Sequence, residues 1–279
     1  MNITHLGTAA AERIPGLFCR CDLCRFAREQ GGREIRTQSQ AIIDGRLLID
    51  FPGDTYLHML HGGLDLPRIS TLLVTHWHSD HFYGEDLAYR MDGYALNNPD
   101  PLTVYGSATV RGFYDRAFFL EQRYDDEHIR FVTVAPGDTF TTEDGYECHV
   151  FEARHGHEFG DCLFYAISKD GHTLLYAHDT GFPHERTWRM IKESWLAFDY
   201  VSMDCTHGLV GNPAWGTHMN LDQNAQMRQR MLDDGMAHEH TIFVANHFSH
   251  NGKGTYQQLA DAAHERGLVA SWDGITVHL

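Results

Sequence analysis

Short runs rich in Val, Ile, Leu and Tyr, bounded by Gly, Asp and Pro, recur at residues 41–43, 47–51, 71–75, 102–105 and 129–134. The series continues at 146–153, 163–168, 173–177, 200–204, 241–245 and 275–279. Runs of this length with such boundaries predict strands. Apolar residues spaced three and four apart predict helices over 107–123, 183–198, 221–234 and 255–266. Asn220 with Gln223 three residues on marks the start of the third helix as an N-cap pair. Strands outnumber helices, a tally that suits two sheets packed face to face with helices outside, a layered α/β sandwich. Gly and Pro fall singly between elements and no repeat or low-complexity tract intervenes, so a single domain over residues 1–279 is expected. Residues 85–138 are the candidate insertion or lid; their aromatic residues, Tyr89, Tyr94, Tyr105, Phe113, Tyr114, Phe118 and Phe119, read as core before they read as a pocket wall.

Charge narrows the partners. Asp and Glu outnumber Lys and Arg by 38 to 22, a formal net charge of −16. That field disfavours long nucleic acids and leaves a small molecule as the expected partner; a homodimer is compatible with it. No stretch reaches transmembrane length, and the start of the chain lacks the basic and long apolar segments of a secretory signal. Three of the six cysteines stand in Cys19-Arg-Cys21-Asp-Leu-Cys24. They are too closely spaced for a disulfide framework and suit thiolates converging on one metal, which points to the reducing cytoplasm.

Chemistry concentrates in the 21 histidines. Leu72-Leu73-Val74-Thr75 runs directly into His76-Trp77-His78-Ser79-Asp80-His81, so a buried strand ends in a loop presenting four ligands. Imidazole with carboxylate suits Zn²⁺, Mn²⁺ or Fe²⁺, with Ni²⁺ as a further candidate. Surface roles are the default for His58, His128, His172, His238 and His264.

With His76, His78, Asp80 and His81 matching the HxHxDH motif in full, the chain resembles the metallo-β-lactamase superfamily, which implies a four-layer αββα sandwich and a two-metal centre. The resemblance assigns His76, His78 and His155 to one divalent cation, Asp80, His81 and His247 to a second, and Asp179 to a bridge between them. His157 competes with His155 in Arg154-His155-Gly156-His157, and His178, next to Asp179 on an extended chain, points the other way. Two cations about 3.5–4 Å apart activate water and stabilise both oxygens of an in-line displacement, which favours phosphate ester hydrolysis. Within the superfamily, Asp179 in place of a cysteine argues against the lactamases, and the lack of a GHTxG pattern argues against glyoxalase-type thioesterases.

A structural Zn²⁺ held by Cys19, Cys21 and Cys24 needs a fourth ligand, for which His250, three residues beyond His247, is the candidate. Gly7-Thr8-Ala9, Pro15, CxCxxC, HxHxDH and a late HxxH together resemble the PhnP branch, which implies a phosphodiesterase acting on a small, cyclic phosphate diester. The same resemblance makes His218, just before the capped helix, the proton donor to the leaving oxygen, and the helix start beside it suits a phosphate oxygen. Asp80 is a candidate for managing the nucleophile's proton. Two rival readings follow. A tRNA 3′-end endonuclease of the same superfamily predicts a basic RNA-docking arm, and none is visible. A non-catalytic protein resembling PqqB predicts a degraded HxHxDH motif, and this one is intact.

Overall fold

The chain, described by a computed structural model over residues 1–97, 101–211 and 216–279, builds two seven-stranded mixed sheets. The first contains β1 (Asn2–Gly7), β2 (Gln40–Ile43), β3 (Leu47–Ile49), β4 (Thr71–Leu73), β5 (Leu102–Gly106), β6 (Ile129–Thr133) and β14 (Ile275–His278). Its spatial order is β14-β1-β2-β3-β4-β5-β6, antiparallel up to β3 and parallel beyond it. The second contains β7 (Thr139–Thr141), β8 (Glu147–Glu152), β9 (Leu163–Lys169), β10 (His172–Ala177), β11 (Phe198–Asp204), β12 (Ala237–Asn246) and β13 (Val269–Ala270). It is ordered β13-β12-β11-β10-β9-β8-β7, parallel from β13 to β10 and antiparallel beyond.

The two-residue period of the strands sorts the apolar side chains into three layers. Leu47, Ile49 and Leu73 of the first sheet meet Val150, Tyr165, Tyr176 and Val244 of the second, forming the core between the sheets. Leu48 and Leu72, their sequence neighbours, and Val104 face outward, against Val110, Tyr114, Ala117 and Phe118 of α4 (Ala108–Leu120). On the opposite outer face, Phe164, Leu175, Val201 and Phe243 pack against three helices. These are α5 (Glu185–Glu193), α6 (Leu221–Asp233) and α7 (Tyr256–His264). The layered α/β sandwich expected from the strand tally, in the four-layer αββα form that the resemblance implied, is therefore the fold.

Residues 85–138 supply β5 and β6, both hydrogen-bonded members of the first sheet, with α4 covering them. Several elements were not anticipated. β1 carries the polar pair Thr4 and His5, yet His5 is fully buried, bonded through Nε2 to the Tyr200 hydroxyl at 2.6 Å and through Nδ1 to Asn246 at 2.7 Å. α1 (Asp22–Gln30) is polar and short, and its N-cap is Cys21, whose sulfur accepts from the Cys24 N–H. α2 (Thr55–His61), α3 (Gly84–Leu87), β7 and β13 are each too brief for periodicity to register.

Because β3 and β4 are parallel, and β8, β10, β11 and β12 share one direction, the C-terminal ends of six strands gather at one edge of the sandwich. Asp50, His76, His155, Asp179, Asp204 and His247 lie just past or at those ends.

Candidate metal centre and its cavity

Loops from both sheets bring two ligand sets together. His76, His78, His155 and Asp179 place ligand atoms within 4.8 Å of one another, as do Asp80, His81, Asp179 and His247, so Asp179 belongs to both. His76 Nε2 lies 2.8 Å from His78 Nδ1 and 3.0 Å from Asp179 Oδ2, and His155 Nε2 is 3.3 Å from His78 Nδ1. Across the shared carboxylate, His81 Nε2 stands 3.0 Å from Asp179 Oδ2, 3.3 Å from Asp80 Oδ2 and 3.1 Å from His247 Nε2. His157 is exposed and outside both sets. His178 is buried on the other side, bonded to Ser39 and Ser202 within the sheet core.

Divalent cations fit this arrangement. Ligands about 2.0–2.2 Å from a cation sit roughly 2.8–3.6 Å apart, from the octahedral to the tetrahedral edge, and the separations found here fall in that range. The chemistry of the donors requires one as well. His81 donates from Nδ1 to Asp50 Oδ2 at 2.6 Å, so its Nε2 lone pair faces two carboxylate oxygens and another imidazole nitrogen. Asp50, Asp80, Asp179 and Asp204 are all at most 5% exposed. Among the described residues their ion-pair partners are histidines, never Lys or Arg. Buried carboxylates are ordinarily paired or bound to a cation. Without one, protons stand in: burial opposes the His81 charge, but Asp50, Asp80 and Asp179 outweigh it and hold the imidazole well above its usual range. Burial likewise opposes the Asp179 charge, yet His247 and His81 keep that carboxyl well below the usual range.

Two supporting carboxylates escaped the sequence reading. Asp50 accepts from the Thr75 N–H at 2.7 Å and from His81, fixing the loop that carries the motif. Asp204 Oδ2 accepts from His218 Nδ1 at 2.8 Å. Each is a lone Asp at a strand end, and that position past a strand facing the site was the available signal. Asp50, Asp179 and His247 also share a left-handed backbone, with φ of 65°, 50° and 61°. Non-glycine residues there are uncommon, and such strain persists where the surrounding structure determines it.

His218 contacts the shared carboxylate too, its Nδ1 3.2 Å from Asp179 Oδ1, and joins Asp179, Asp204 and His247 in a third overlapping set. Burial lowers its affinity for a proton, but Asp204 and Asp179 reverse this and raise its pKa to about 9. The expected Asn220–Gln223 capping box starts the helix beyond it. His78, His155, Asp179, His218 and His247 line a cavity of about 510 Å³, within the range of small-molecule sites.

Cys19, Cys21, Cys24 and His250 form a separate set with ligand atoms within 4.8 Å. Cys19 Sγ and Cys21 Sγ lie 3.7 and 3.8 Å from His250 Nδ1. A tetrahedral Zn²⁺ sets this edge at about 3.5–3.6 Å. Amides of Cys21, Cys24 and Gly16 point at the three sulfurs, as thiolates require. With no cation, burial pushes the Cys24 thiol up to about 12.

A family model described as a beta-lactamase superfamily domain matches residues 47–248. A ribonuclease Z from Exiguobacterium sibiricum is 23% identical over 79% of this chain and 75% of its own length. Zinc-bound PqqB from Methylobacterium extorquens superposes over 100% of both chains with TM-score 0.78 at 21% identity. A diphosphatase from the PhnP family superposes over 100% of this chain and 97% of its own, with TM-score 0.75 at 16% identity.

Proposed function

The chain belongs to the beta-lactamase superfamily, and from that premise we propose that it is a phosphoric diester hydrolase acting on a small, cyclic phosphate diester. One observation carries the reading: two His/Asp ligand sets share Asp179 in a cavity that also holds a histidine oriented by a buried carboxylate. His76, His78 and His155 would hold one divalent cation and Asp80, His81 and His247 the other, with Asp179 between them. Cations so placed supply water activation and neutralisation of phosphoryl charge.

The remaining work falls to the protein's own groups. Asp204 fixes His218 through Nδ1, which leaves Nε2–H for the leaving oxygen as the P–O bond breaks. Asp80, on the cavity wall, is assigned the attacking water's proton. Cys19, Cys21, Cys24 and His250 would hold a structural Zn²⁺, and the reduced sulfurs this needs suit the cytoplasm.

A tRNA-processing ribonuclease is the second reading, favoured by the ribonuclease Z likeness. Against it, the described cavity lining contains no Lys or Arg and the chain carries a net charge of −16. Assays of metal-loaded protein on bis-p-nitrophenyl phosphate, 2′,3′-cyclic nucleotides, ribose 1,2-cyclic phosphate and a tRNA precursor separate the readings. Hydrolysis of the small diesters is expected. No hydrolysis of any of them with Zn²⁺, Mn²⁺ or Ni²⁺ overturns the proposal in favour of a binding protein, and cleavage of the tRNA precursor alone favours the ribonuclease.

A further inference from the structure

The part of the cavity lining formed by Ala10, Ala11 and Glu12 has a chemistry of its own. Glu12 is the one lining carboxylate, among the described residues, outside the proposed ligand sets. It is held by one oxygen only. Oε1 accepts from the Ser249 hydroxyl and, at 3.4 Å, from Asn251 Nδ2, and lies 3.8 Å from His250 Nε2. Oε2 accepts no hydrogen bond from any described residue, and the side chain is 33% exposed. The backbone around it is fixed. Ala10 N–H bonds to the Phe248 carbonyl at 2.9 Å, and the adjacent Arg13 grips Asp54 through two nitrogens at 2.8 and 2.9 Å.

A cavity-lining carboxylate anchored by one oxygen, with the other free of hydrogen bonds from the described residues, can accept strong charge-assisted hydrogen bonds from hydroxyl groups. It also repels anions, and among the described residues no Lys or Arg lines the cavity to offset it. Resting on the diesterase reading, we infer that Glu12 is a specificity-determining residue. It binds hydroxyls on the alcohol part of the substrate and selects an uncharged, hydroxylated group over one carrying a second phosphate.

The test uses the metal-loaded protein, its metal content and melting temperature measured for every variant. Substrates are ribose 1,2-cyclic phosphate, the same sugar phosphorylated at its 5-hydroxyl, and bis-p-nitrophenyl phosphate, which has no hydroxyl. The wild type is expected to favour the unphosphorylated sugar in kcat/KM. Glu12→Gln should lose about tenfold or more on that sugar, mostly through KM, and several-fold less on bis-p-nitrophenyl phosphate. Glu12→Lys should turn the preference toward the 5-phosphorylated sugar. Equal losses on all three substrates, or a wild-type preference for the phosphorylated sugar, overturn the inference. Should nothing be hydrolysed, the diesterase reading fails by itself. Calorimetric binding of ribose 1,2-cyclic phosphate then decides about Glu12: weakening of about tenfold in Glu12→Gln supports its role, while absent or unaltered binding overturns it.

Discussion

The His/Asp centre and the Cys/His cluster are built by opposite means. The first collects residues from the ends of β4, β8, β10 and β12 in two sheets, so residues as far apart as His76 and His247 meet only when the whole sandwich is closed. The second takes three of its four ligands from residues 19–24, and the helix they start is capped by one of them, Cys21. Sheet topology makes the first site acceptor-rich and mostly buried, with His78 exposed at the cavity. The second sits at the surface, with Cys21 exposed, and ties a polar loop to the body of the fold. A centre assembled by the fold can be spent on chemistry, whereas a cluster that assembles a loop acts chiefly on stability.

Breaking the shared carboxylate should have the largest effect. Asp179→Ala is expected to lower diesterase activity about a thousandfold or more, with bound metal falling and the melting temperature changing modestly. Wild-type turnover in that variant would end the two-metal assignment. Next in size is His218→Ala, expected to retain its metals and to lose about 10²–10⁴-fold on a ribose or alkyl leaving group. On bis-p-nitrophenyl phosphate, whose leaving group needs little protonation, the loss should be far smaller; equal losses would make His218 a phosphate-binding residue.

Cys21→Ser tests the other half of the comparison. Its melting temperature should fall on the order of 10 °C with one equivalent of zinc lost, while specific activity at low temperature stays largely intact. Unchanged melting with lost activity would place that cluster in the chemistry. The smallest effect belongs to His157→Ala, exposed and outside both ligand sets, for which stability should move by no more than about 0.5 kcal/mol. A collapse of metal content there would make it, not His155, the ligand.

The parts legible in advance were those written in adjacent residues. HxHxDH and CxCxxC each declare themselves within six positions, and the Asn220–Gln223 capping box is a local signal that the structure contains. Strand and helix periodicity sufficed for the layers because Leu47, Leu48 and Ile49 alternate between two cores without exception. What stayed hidden depends on distant partners. His5 makes β1 look like a loop because its partners, Tyr200 and Asn246, lie some two hundred residues on. Asp50 and Asp204 are single carboxylates whose meaning arises only when β3 and β11 end beside His81 and His218. β5 and β6 likewise acquire their role by pairing with β4 and with each other.

The turn from His247 to His250 offers one imidazole to each cluster and is itself stitched to the N-terminal loop, with Phe248 N–H bonded to the Thr8 carbonyl at 2.9 Å. The two clusters therefore share one segment of backbone that is already hydrogen-bonded in place. Displacing it at one site displaces it at the other, so any coupling between the ions they would hold is reciprocal, each changing the other's affinity by the same factor.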